Sequence, residues 1–424
     1  MRTDQPYIIK HVHLDELSQN GMSVTVPGGR YYFCCWWKGI PLGHLFVEHN
    51  EQQETLRLHR KIWASIAPAI HFYMVKNKVQ TAVHSSFFLR QQYAPFCLAM
   101  ERVFSACNNG TLANNSDISV IICTRNRSSD LQRCLQSIVA QTCRPKEIIV
   151  IDNAPSDDST LNVVKQFKQV LYYKEPRGGL SIARNSGLRM ATSSIVAFTD
   201  DDVVTHPLWL CHVKESFEAS GIGAMTGLII ASSLVTKSQQ LFEKQWSFNG
   251  GYCDKQFDHA FFIKDLPAGP RVWDIGAGAN MAFRKSALDI VGAFDERLGA
   301  GAAGCSEDSE MWFRLLAKEF TIHYNPRAVV FHEHRKELSD LHRQIFCYMR
   351  GHAVAALIQK KQIENAGYRR YLYRKIFKDY LPLLIKRFFW RAECKLILIQ
   401  IHGVISGVFF YFRNKNKPSQ RNFF

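Results

Sequence analysis

Three adjacent carboxylates, Asp200, Asp201 and Asp202, directly follow the apolar run 195–199. Adjacent carboxylates repel one another and lose hydration when partly buried, so the arrangement is costly unless a cation compensates the charge. Because residues i and i+2 of a strand point to the same side, we expect Asp200 and Asp202 to face one site and Asp201 to turn aside. Oxygen ligands favour Mg²⁺ or Mn²⁺. The alternative interpretation is a solvated acidic turn.

A second acidic group, Glu307 and Asp308, precedes an amphipathic pattern at residues 311–316. It follows the Gly/Ala-rich segment 299–304, and such a loop can move or let a ligand approach closely. A carboxylate behind this loop is a candidate general base. The alternative is ordinary chemistry of a helix N-terminus, where acidic side chains stabilise the first turn.

Two further segments carry groups that suit the same site. His332 and His334 alternate on an extended segment, and an imidazole can complete a metal site made of carboxylates. Two histidines alone are more often solvated surface groups. The glycine-containing segment 176–187 can hold Arg184 and Asn185 towards a phosphate. Its spacing is not that of a P-loop or of a Rossmann fingerprint, so it is a weak signal on its own.

Alternating strand and helix patterns must position these groups. The pattern predicts strands at 118–123, 147–152, 170–173 and 195–199, with helices at 130–141, 158–167 and 181–191. This alternation predicts an α/β fold with an open, mostly parallel sheet covered by helices. Ligands bind such sheets at the carboxyl ends of the strands. Asp152 and the three aspartates 200–202 fall at predicted strand ends.

The length of 424 residues predicts more than one structural unit. We expect an N-terminal accessory region at 1–115, β-rich at its start and helical at its end. A catalytic region follows at 116–340, and then a basic, helical tail at 341–424. The net charge is +16, and residues 360–424 alone carry +12 of it. A basic tail on a nearly neutral body indicates an anionic partner at one end, either nucleic acid or a membrane surface.

The composition of the tail favours a membrane surface as the anionic partner. Aromatic and basic residues mix in 380–390, and apolar residues dominate 396–412, which predicts an interfacial helix on an anionic leaflet. The alternative is a helix that packs on the catalytic region with a solvated basic face. We expect no stretch to reach the roughly 20 clean apolar residues of a spanning helix. The first residues lack the apolar core of a secretory signal. The 12 cysteines contain no C-x-x-C pair and indicate buried thiols in a reducing compartment.

Taken in order, the motifs resemble family 2 glycosyltransferases with a GT-A fold. They span about half of the chain, and the flanks resemble the family far less. The segments that carry the resemblance are 119–127, 151–160, 178–187, 198–202, 276–284, 292–296, 307–308 and 332–334. One departure is Cys305 and Ser306, where relatives often have glycines, which bears on the mobility of the loop and leaves the base in place.

The resemblance implies a role for each matching residue. Asp308, with Glu307 beside it, would be catalytic, Asp308 as the general base that activates the acceptor hydroxyl. Asp200 and Asp202 would hold the metal and the diphosphate, with His332 or His334 as a further metal ligand. The donor-binding residues would be Thr124, Arg125, Asp152, Arg184, Asn185, Asp200, Asp201 and Asn280; of these, Asp152 would read the base edge.

The implied reaction is a metal-dependent, inverting transfer of a sugar from a nucleotide-diphosphate sugar to an acceptor hydroxyl, with Mn²⁺ or Mg²⁺ as cofactor. The acceptor would be a saccharide or a lipid-linked saccharide, in polysaccharide or glycolipid assembly for the cell envelope. The enzyme would be cytoplasmic, peripheral at the inner face of the membrane. An inactive sugar-nucleotide or polysaccharide-binding protein is the main alternative. A nucleic-acid-binding protein is a weaker one, since no reader motif is present, and we expect no nucleic-acid partner.

Overall fold

The structure is a computed structural model that describes residues 5–21, 29–48, 55–80, 83–108, 115–386 and 391–417. Parts of the polar, turn-rich segment 108–117, which the sequence predicts to be a linker, and of the aromatic segment 380–390 lie outside the described residues. A mixed sheet with helices on its faces forms the centre of the molecule. A small three-stranded sheet precedes it, and long helices follow it.

The strands are β1 (Tyr7–His13), β2 (Arg30–Trp37), β3 (Ile40–Val47), β4 (Ile118–Thr124), β5 (Glu147–Asn153), β6 (Val170–Glu175), β7 (Ile195–Asp200), β8 (Val203–Thr205), β9 (Ile222–Ala231), β10 (Lys255–Phe257), β11 (Asn280–Arg284) and β12 (Thr321–His332). The helices are α1 (Leu17–Asn20), α2 (Thr55–Lys76), α3 (Ser85–Leu89), α4 (Tyr93–Asn108), α5 (Ser128–Val139), α6 (Ser159–Val164), α7 (Leu180–Met190), α8 (Trp209–Ser216), α9 (Lys237–Trp246), α10 (His259–Asp265), α11 (Lys285–Val291), α12 (Glu307–Ala317), α13 (Leu338–Gln362), α14 (Tyr368–Arg374), α15 (Leu381–Lys386) and α16 (Arg391–Asn414). A π-helical turn, Lys375–Tyr380, joins α14 to α15.

The central sheet has the strand order β10-β12-β9-β11-β7-β4-β5-β6, and β8 pairs with β12. The half made of β7, β4, β5 and β6 is parallel, as the alternating pattern predicts. In the other half, β11 runs antiparallel to both β7 and β9, whereas β9 and β12 pair in parallel. Strands β8 and β10 pair antiparallel with β12, so three antiparallel strands interrupt a sheet that is otherwise parallel, as expected. Apolar side chains of both sheet faces pack under helices in two separate core clusters.

The N-terminal region has a core of its own. Strands β1, β2 and β3 form a sheet, and one face of it packs with α2, α3 and α4 around residues such as Phe33, Trp37 and Phe96. The other face presents Tyr32 and Trp36 to the central sheet, where they pack with side chains of β9 and β12. The small sheet is therefore joined to the central one through apolar contacts.

The C-terminal helices pack against the same molecule. Helix α16 lies along α13, and a Cβ atom at Gly403 or Gly407 would come within 3 Å of the α13 backbone or side chains. These two glycines allow the helices to approach closely. Residues Cys394–Asn414 of α16 are also long and apolar enough to cross a membrane by length and composition, and 22% of the apolar window is buried. The expectation that no stretch reaches this length was therefore wrong.

The α/β class, the helices on a large sheet, the N-terminal β region and the C-terminal helix are confirmed. The boundaries at residues 115 and 340 stay predictions. Residue 340 lies in the first turn of α13, and residues well beyond it contribute to the cavity described below.

Candidate active site

The carboxyl ends of three neighbouring strands meet at one cavity of about 1320 Å³. Thr124 at the end of β4 is paired with Asp152 of β5, and Cys123 is paired with Asp200 of β7. Thr124, Asn153 and Asp200 all line the cavity. The predicted convergence of polar residues at this sheet edge is therefore present in the structure.

All three aspartates line the cavity. Asp201 therefore faces the cavity, contrary to the expectation that it turns aside. Strand β7 ends at Asp200, and residues 201 and 202 form a turn, so the alternation of a strand no longer applies. Asp201 accepts hydrogen bonds from the hydroxyl of Thr124 at 2.7 Å and from Arg127 at 2.6 Å. Burial raises the pKa of Asp201 to about 6. Arg127 also donates to Asp202 at 3.0 Å and was not recognised as a site residue, although it lies inside a matching motif.

Asp202 and His332 form the place where the residues fit a cation best. The Nε2 atom of His332 lies 3.4 Å from Oδ1 of Asp202, and this carboxylate oxygen is buried and has no hydrogen-bond partner among the described residues. Burial lowers the pKa of His332, which favours the neutral imidazole that binds metals. Burial acts to raise the pKa of Asp202, but His332, Arg127 and Arg335 outweigh it, so this pKa is lowered.

The described residues do not form a closed metal site made only of protein ligands. In the part of the chain that the structure describes, no group of three or more His, Cys, Asp or Glu side chains is arranged to hold an ion. The arrangement suits Mg²⁺ or Mn²⁺ held by one or two carboxylates together with phosphate oxygens of a substrate, which is how these cations usually bind in phosphate sites. The donors available here are Asp202, His332 and the partly exposed Asp200.

His334 lies behind His332 and away from the cavity. Its Nδ1 is 3.0 Å from Nδ1 of His332, and its Nε2 is 3.0 Å from Glu243 of α9. Both ring nitrogens of His334 are thus engaged, so of the two predicted histidines only His332 is placed to bind a cation. Glu243 has no signal in the sequence, because it comes from a helix that is 91 residues away from His334.

Arg184 connects the two acidic groups of the site. It is 2% exposed, and its guanidinium donates to Glu307 at 2.5 Å and lies 3.4 Å from Asp200. It therefore stabilises carboxylates of the protein, and any contact with a donor phosphate stays a prediction. Burial raises the pKa of Glu307 to about 6, although Arg184 acts to lower it. Arg125 is exposed at the edge of the cavity, where the sequence pattern placed a donor contact.

Asp308 is held in a fixed orientation at the start of α12. Its Oδ2 accepts from the backbone N–H of Gly278 at 2.9 Å, and its Oδ1 accepts from the N–H of Ser309 at 2.6 Å. Burial raises its pKa, and the charge of Arg184 and the two N–H groups act in the opposite direction. The side chain lines the cavity and is only partly buried, so a substrate hydroxyl can reach a carboxylate with raised basicity at this position.

The loop 299–304 packs closely against its neighbours. Gly304 has φ +122°, and a Cβ atom there would lie 2.6 Å from the carbonyl oxygen of Cys347 on α13. Gly301 has φ +89° and approaches Gly179 in the same way. The N–H of Leu180 donates to the carbonyl of Ala300 at 2.9 Å. The expected close approach of this loop is present, and the two glycines make it possible.

Three predicted donor-binding residues lie outside the cavity lining. Asp152 is fully buried and accepts from the phenol of Tyr172 at 2.8 Å. The side-chain amide of Asn185 donates to the carbonyl of Phe294 and accepts from the N–H of the same residue. Asn280 donates to two carbonyls of neighbouring strands and accepts from the indole of Trp209. Asn185 and Asn280 are accounted for by these structural contacts; Asn153, next to Asp152, is the residue of β5 that lines the cavity.

The C-terminal helices form part of the wall of the cavity. Its lining includes Tyr348 and His352 of α13, Tyr371 of α14 and Lys375. The rings of Trp273 and His352 make an edge-to-face contact with centroids 4.6 Å apart, and the ring of Tyr371 is tilted against Trp273 at 5.2 Å. The sequence pattern assigned these residues to a separate tail, because no local signal shows that α13 and α14 return to the catalytic region.

Residues 119–291 match the model of the family described as Glycosyl transferase family 2. The chain carries a family 2 glycosyltransferase domain. The chain is 26% identical to glycosyltransferase AglE of Haloferax volcanii over 194 residues, 43% of this chain and 58% of the relative. It is 26% identical to the pre-mycofactocin glycosyltransferase of Mycobacterium tuberculosis over 234 residues, 54% of this chain and 45% of the relative. It thus spans about half the length of these curated relatives.

Among solved structures, the chain is similar to mannosyltransferase PcManGT from Pyrobaculum calidifontis in complex with GDP-Man and Mn²⁺. The sequence identity is 17% and the TM-score 0.46, over 69% of this chain and 87% of that one. The family match includes strands β4 to β7 with the three aspartates, and it ends before Glu307, Asp308 and His332. About half of the residues that line the cavity therefore lie inside the matched segment, and the others follow it in the sequence.

Proposed function

We propose that this protein transfers a sugar from a nucleotide-diphosphate sugar to an acceptor hydroxyl, with inversion at the anomeric carbon and with a bound divalent cation. The observation that carries the proposal is the grouping, in one cavity of a family 2 domain, of Asp202 with His332 and of Asp308. Asp202 and His332 suit a bound cation, and Asp308 suits a general base.

The proposed cation is Mn²⁺ or Mg²⁺, held by Asp202 and His332 with support from Asp200. The orphaned Oδ1 of Asp202 beside the imidazole supports this, because a buried carboxylate oxygen without a partner is costly unless something positive meets it. When bound, such a cation would stabilise the charge that develops on the departing diphosphate. Arg127 and Arg335 hold the other oxygen of Asp202 and so keep the carboxylate in place.

Asp308 is the proposed general base. It would accept the proton of the acceptor hydroxyl while that oxygen attacks the anomeric carbon. The N–H groups of Gly278 and Ser309 fix its orientation, and its raised pKa makes it a better proton acceptor than an exposed aspartate. One base and one displacement give inversion. A glycoside hydrolase would need a second, opposed carboxyl that acts as an acid; Glu307 is instead paired with Arg184.

The proposed acceptor is a saccharide or a lipid-linked saccharide of the cell envelope, used in polysaccharide or glycolipid assembly. Trp273, Tyr371 and His352 contribute aromatic surface to the cavity lining. Helix α16 beside them exposes an apolar stripe formed by Leu398, Ile405, Phe409 and Phe412.

We propose that this stripe lies on an anionic membrane surface at the cytoplasmic face. Arg413, Lys415 and Lys417 follow the stripe and are exposed, which favours an anionic leaflet. The opposite side of α16, with Gly403 and Gly407, is packed against α13. A spanning orientation would break this packing, so we favour a helix that lies at the interface.

A thermal-shift screen tests the proposed activity. The protein is heated with a panel of nucleotide-diphosphate sugars and with the corresponding nucleoside monophosphates, each with Mn²⁺ and with EDTA. We expect one class of nucleotide sugar to raise the melting temperature, and to do so only with Mn²⁺, because ligands of the native state stabilise it. The donor found in this way is then supplied with saccharide acceptors, and the product is identified by mass spectrometry. A protein that responds to no nucleotide sugar would contradict the proposal.

A further inference from the structure

A buried chain of polar side chains runs from the N-terminal sheet to the candidate cation site. The phenol of Tyr32 on β2 donates to Oε1 of Glu243 on α9 at 3.0 Å. Oε2 of Glu243 is 3.0 Å from Nε2 of His334, and Nδ1 of His334 is 3.0 Å from Nδ1 of His332. All four residues are less than 10% exposed. The other ring nitrogen of His332 faces Asp202 at 3.4 Å.

The chemistry of the groups gives this chain a direction. A carboxylate has no proton to donate, so Glu243 accepts from both neighbours, and His334 must carry its proton on Nε2. A neutral His334 then has a lone pair on Nδ1, which can only accept. His332 must therefore donate from Nδ1, and its Nε2 is left with a lone pair that points towards Asp202.

We propose that Tyr32, Glu243 and His334 are positioning residues that fix the tautomer of His332 and present its Nε2 lone pair to the cation. This inference rests on the proposed function, in which His332 is a cation ligand. Groups behind a ligating histidine commonly orient the ring and set its tautomer, and their loss typically costs about 10- to 100-fold in metal affinity.

This chain of polar side chains also connects the N-terminal region to the candidate cation site. Tyr32 is fully buried, and its ring packs against Phe46 and His44 of β3. Through the hydroxyl of Tyr32, the small sheet takes part in this chain of polar side chains. Among the described residues, no other one donates a hydrogen bond to Oε1 of Glu243. The small sheet is thus more than a packing partner, because it holds the carboxylate that orients the two histidines.

The first experiment reads the tautomers directly in the metal-free protein. Histidine labelled with ¹⁵N separates protonated from bare ring nitrogens by chemical shift, and the signals of His332 and His334 are assigned from His332→Gln and His334→Gln. We expect His332 to be protonated on Nδ1 and bare on Nε2, and His334 to be protonated on Nε2. The reverse tautomer of His332 would overturn the proposal, and so would an equal mixture of both. This result does not depend on any metal binding.

The second experiment measures Mn²⁺ affinity by the decrease of the free-ion signal in electron paramagnetic resonance. We expect Glu243→Leu to weaken binding about 10-fold or more. Glu243→Gln, which can keep an acceptor oxygen against His334, should retain affinity within a few-fold of the wild type. Tyr32→Phe keeps the packed ring and should give a smaller loss in a protein that folds normally. Tyr173→Phe, on the exposed face of β6, is the matched control and should change nothing.

The variant Asp202→Asn distinguishes a failure of the proposed cation site from a failure of the proposed positioning role. If it leaves Mn²⁺ binding unchanged, the proposed cation site is wrong, and the inference falls with it. If it abolishes binding while Glu243→Leu and Tyr32→Phe bind Mn²⁺ like the wild type, the cation site stands, and the positioning role of the chain is overturned.

Discussion

Glu307, in the first turn of α12, accepts a 2.5 Å hydrogen bond from the buried guanidinium of Arg184 on α7. The same guanidinium lies 3.4 Å from Asp200, so one cation of the protein is placed between the two acidic groups of the cavity. This lowers the electrostatic cost of grouping several carboxylates around one cavity, provided that the pairing remains intact.

Replacement of Arg184 by Met should destabilise the fold strongly. It leaves Glu307 buried without its partner, and breaking a buried pair on one side typically costs about 3–5 kcal/mol in the free energy of unfolding. Urea unfolding checks this. The double variant Arg184→Met with Glu307→Gln should recover part of the loss, since no charge is then orphaned. Arg189→Ala, exposed on the same helix, should stay within about 0.5 kcal/mol of the wild type.

Activity should fall as the pH is lowered through the acidic range, at a higher pH than an exposed aspartate would give. Burial raises the pKa of Glu307 to about 6 and also raises the pKa of Asp308, so both lose their charge at a higher pH than exposed carboxyls. A protonated Asp308 cannot accept the acceptor proton, so kcat/KM should rise with pH and level off once Asp308 is ionised. In Glu307→Gln the midpoint should shift to lower pH, because a neighbouring negative charge is removed. A flat profile between about pH 5 and 7 would contradict this.

Asp308→Asn should abolish transfer and leave donor binding intact. The asparagine keeps an oxygen that can accept from Gly278 or Ser309, so the local structure is retained, but it cannot take up a proton. Losing a general base lowers kcat by about 10²–10⁴-fold. Initial rates and donor calorimetry on the same preparation measure the two effects. Asp289→Asn, exposed on α11, serves as the control. Transfer at the wild-type rate in Asp308→Asn would exclude it as the base.

Much of the parallel half of the sheet could be predicted from the sequence, because each buried strand is a continuous apolar run followed by a helix. The end of β7 at Asp200 and the start of α12 at Glu307 follow from the same local patterns. The strand pattern is sufficient to place Asp200 and Asp202 at the carboxyl edge of the sheet, whereas Asp308 was assigned to the same site only by the resemblance to family 2 glycosyltransferases; all three line the cavity. The orientation of Asp201 was mispredicted, since a strand rule was applied to residues that lie in a turn.

What the sequence could not provide are contacts between distant segments. Glu243 reaches His334 from α9, and Tyr32 reaches Glu243 from β2; neither residue has a local pattern that differs from an ordinary helix or strand. The amides of Asn185 and Asn280 match the family motifs, yet here they satisfy buried backbone groups. A motif match shows that a residue type is needed at a position, and it does not distinguish a substrate contact from a structural one.

Membrane binding should depend on the exposed stripe of α16. Phe409 is 73% exposed and Phe412 58% exposed, so replacing both by Ser removes apolar surface without disturbing the packed side of the helix. We expect partition onto vesicles with anionic lipid to fall about 10-fold or more in a sedimentation assay, and wild-type binding to weaken at high salt. Val139→Ser, which removes an exposed apolar side chain from α5, should have no effect. Equal partition of all three proteins would indicate that α16 serves only to pack on α13.

The central claim is that Asp202 holds a divalent cation that binds the diphosphate of the donor. Isothermal titration calorimetry of UDP, GDP, CDP and dTDP, in Mn²⁺ and in EDTA, tests it with the wild type and with Asp202→Asn. We predict that one nucleoside diphosphate binds the wild type about 10-fold or more tightly in Mn²⁺ than in EDTA, and that Asp202→Asn loses this difference while its melting temperature is kept. Equal affinity in Mn²⁺ and EDTA, or a Mn²⁺ dependence that survives in Asp202→Asn, would contradict the account.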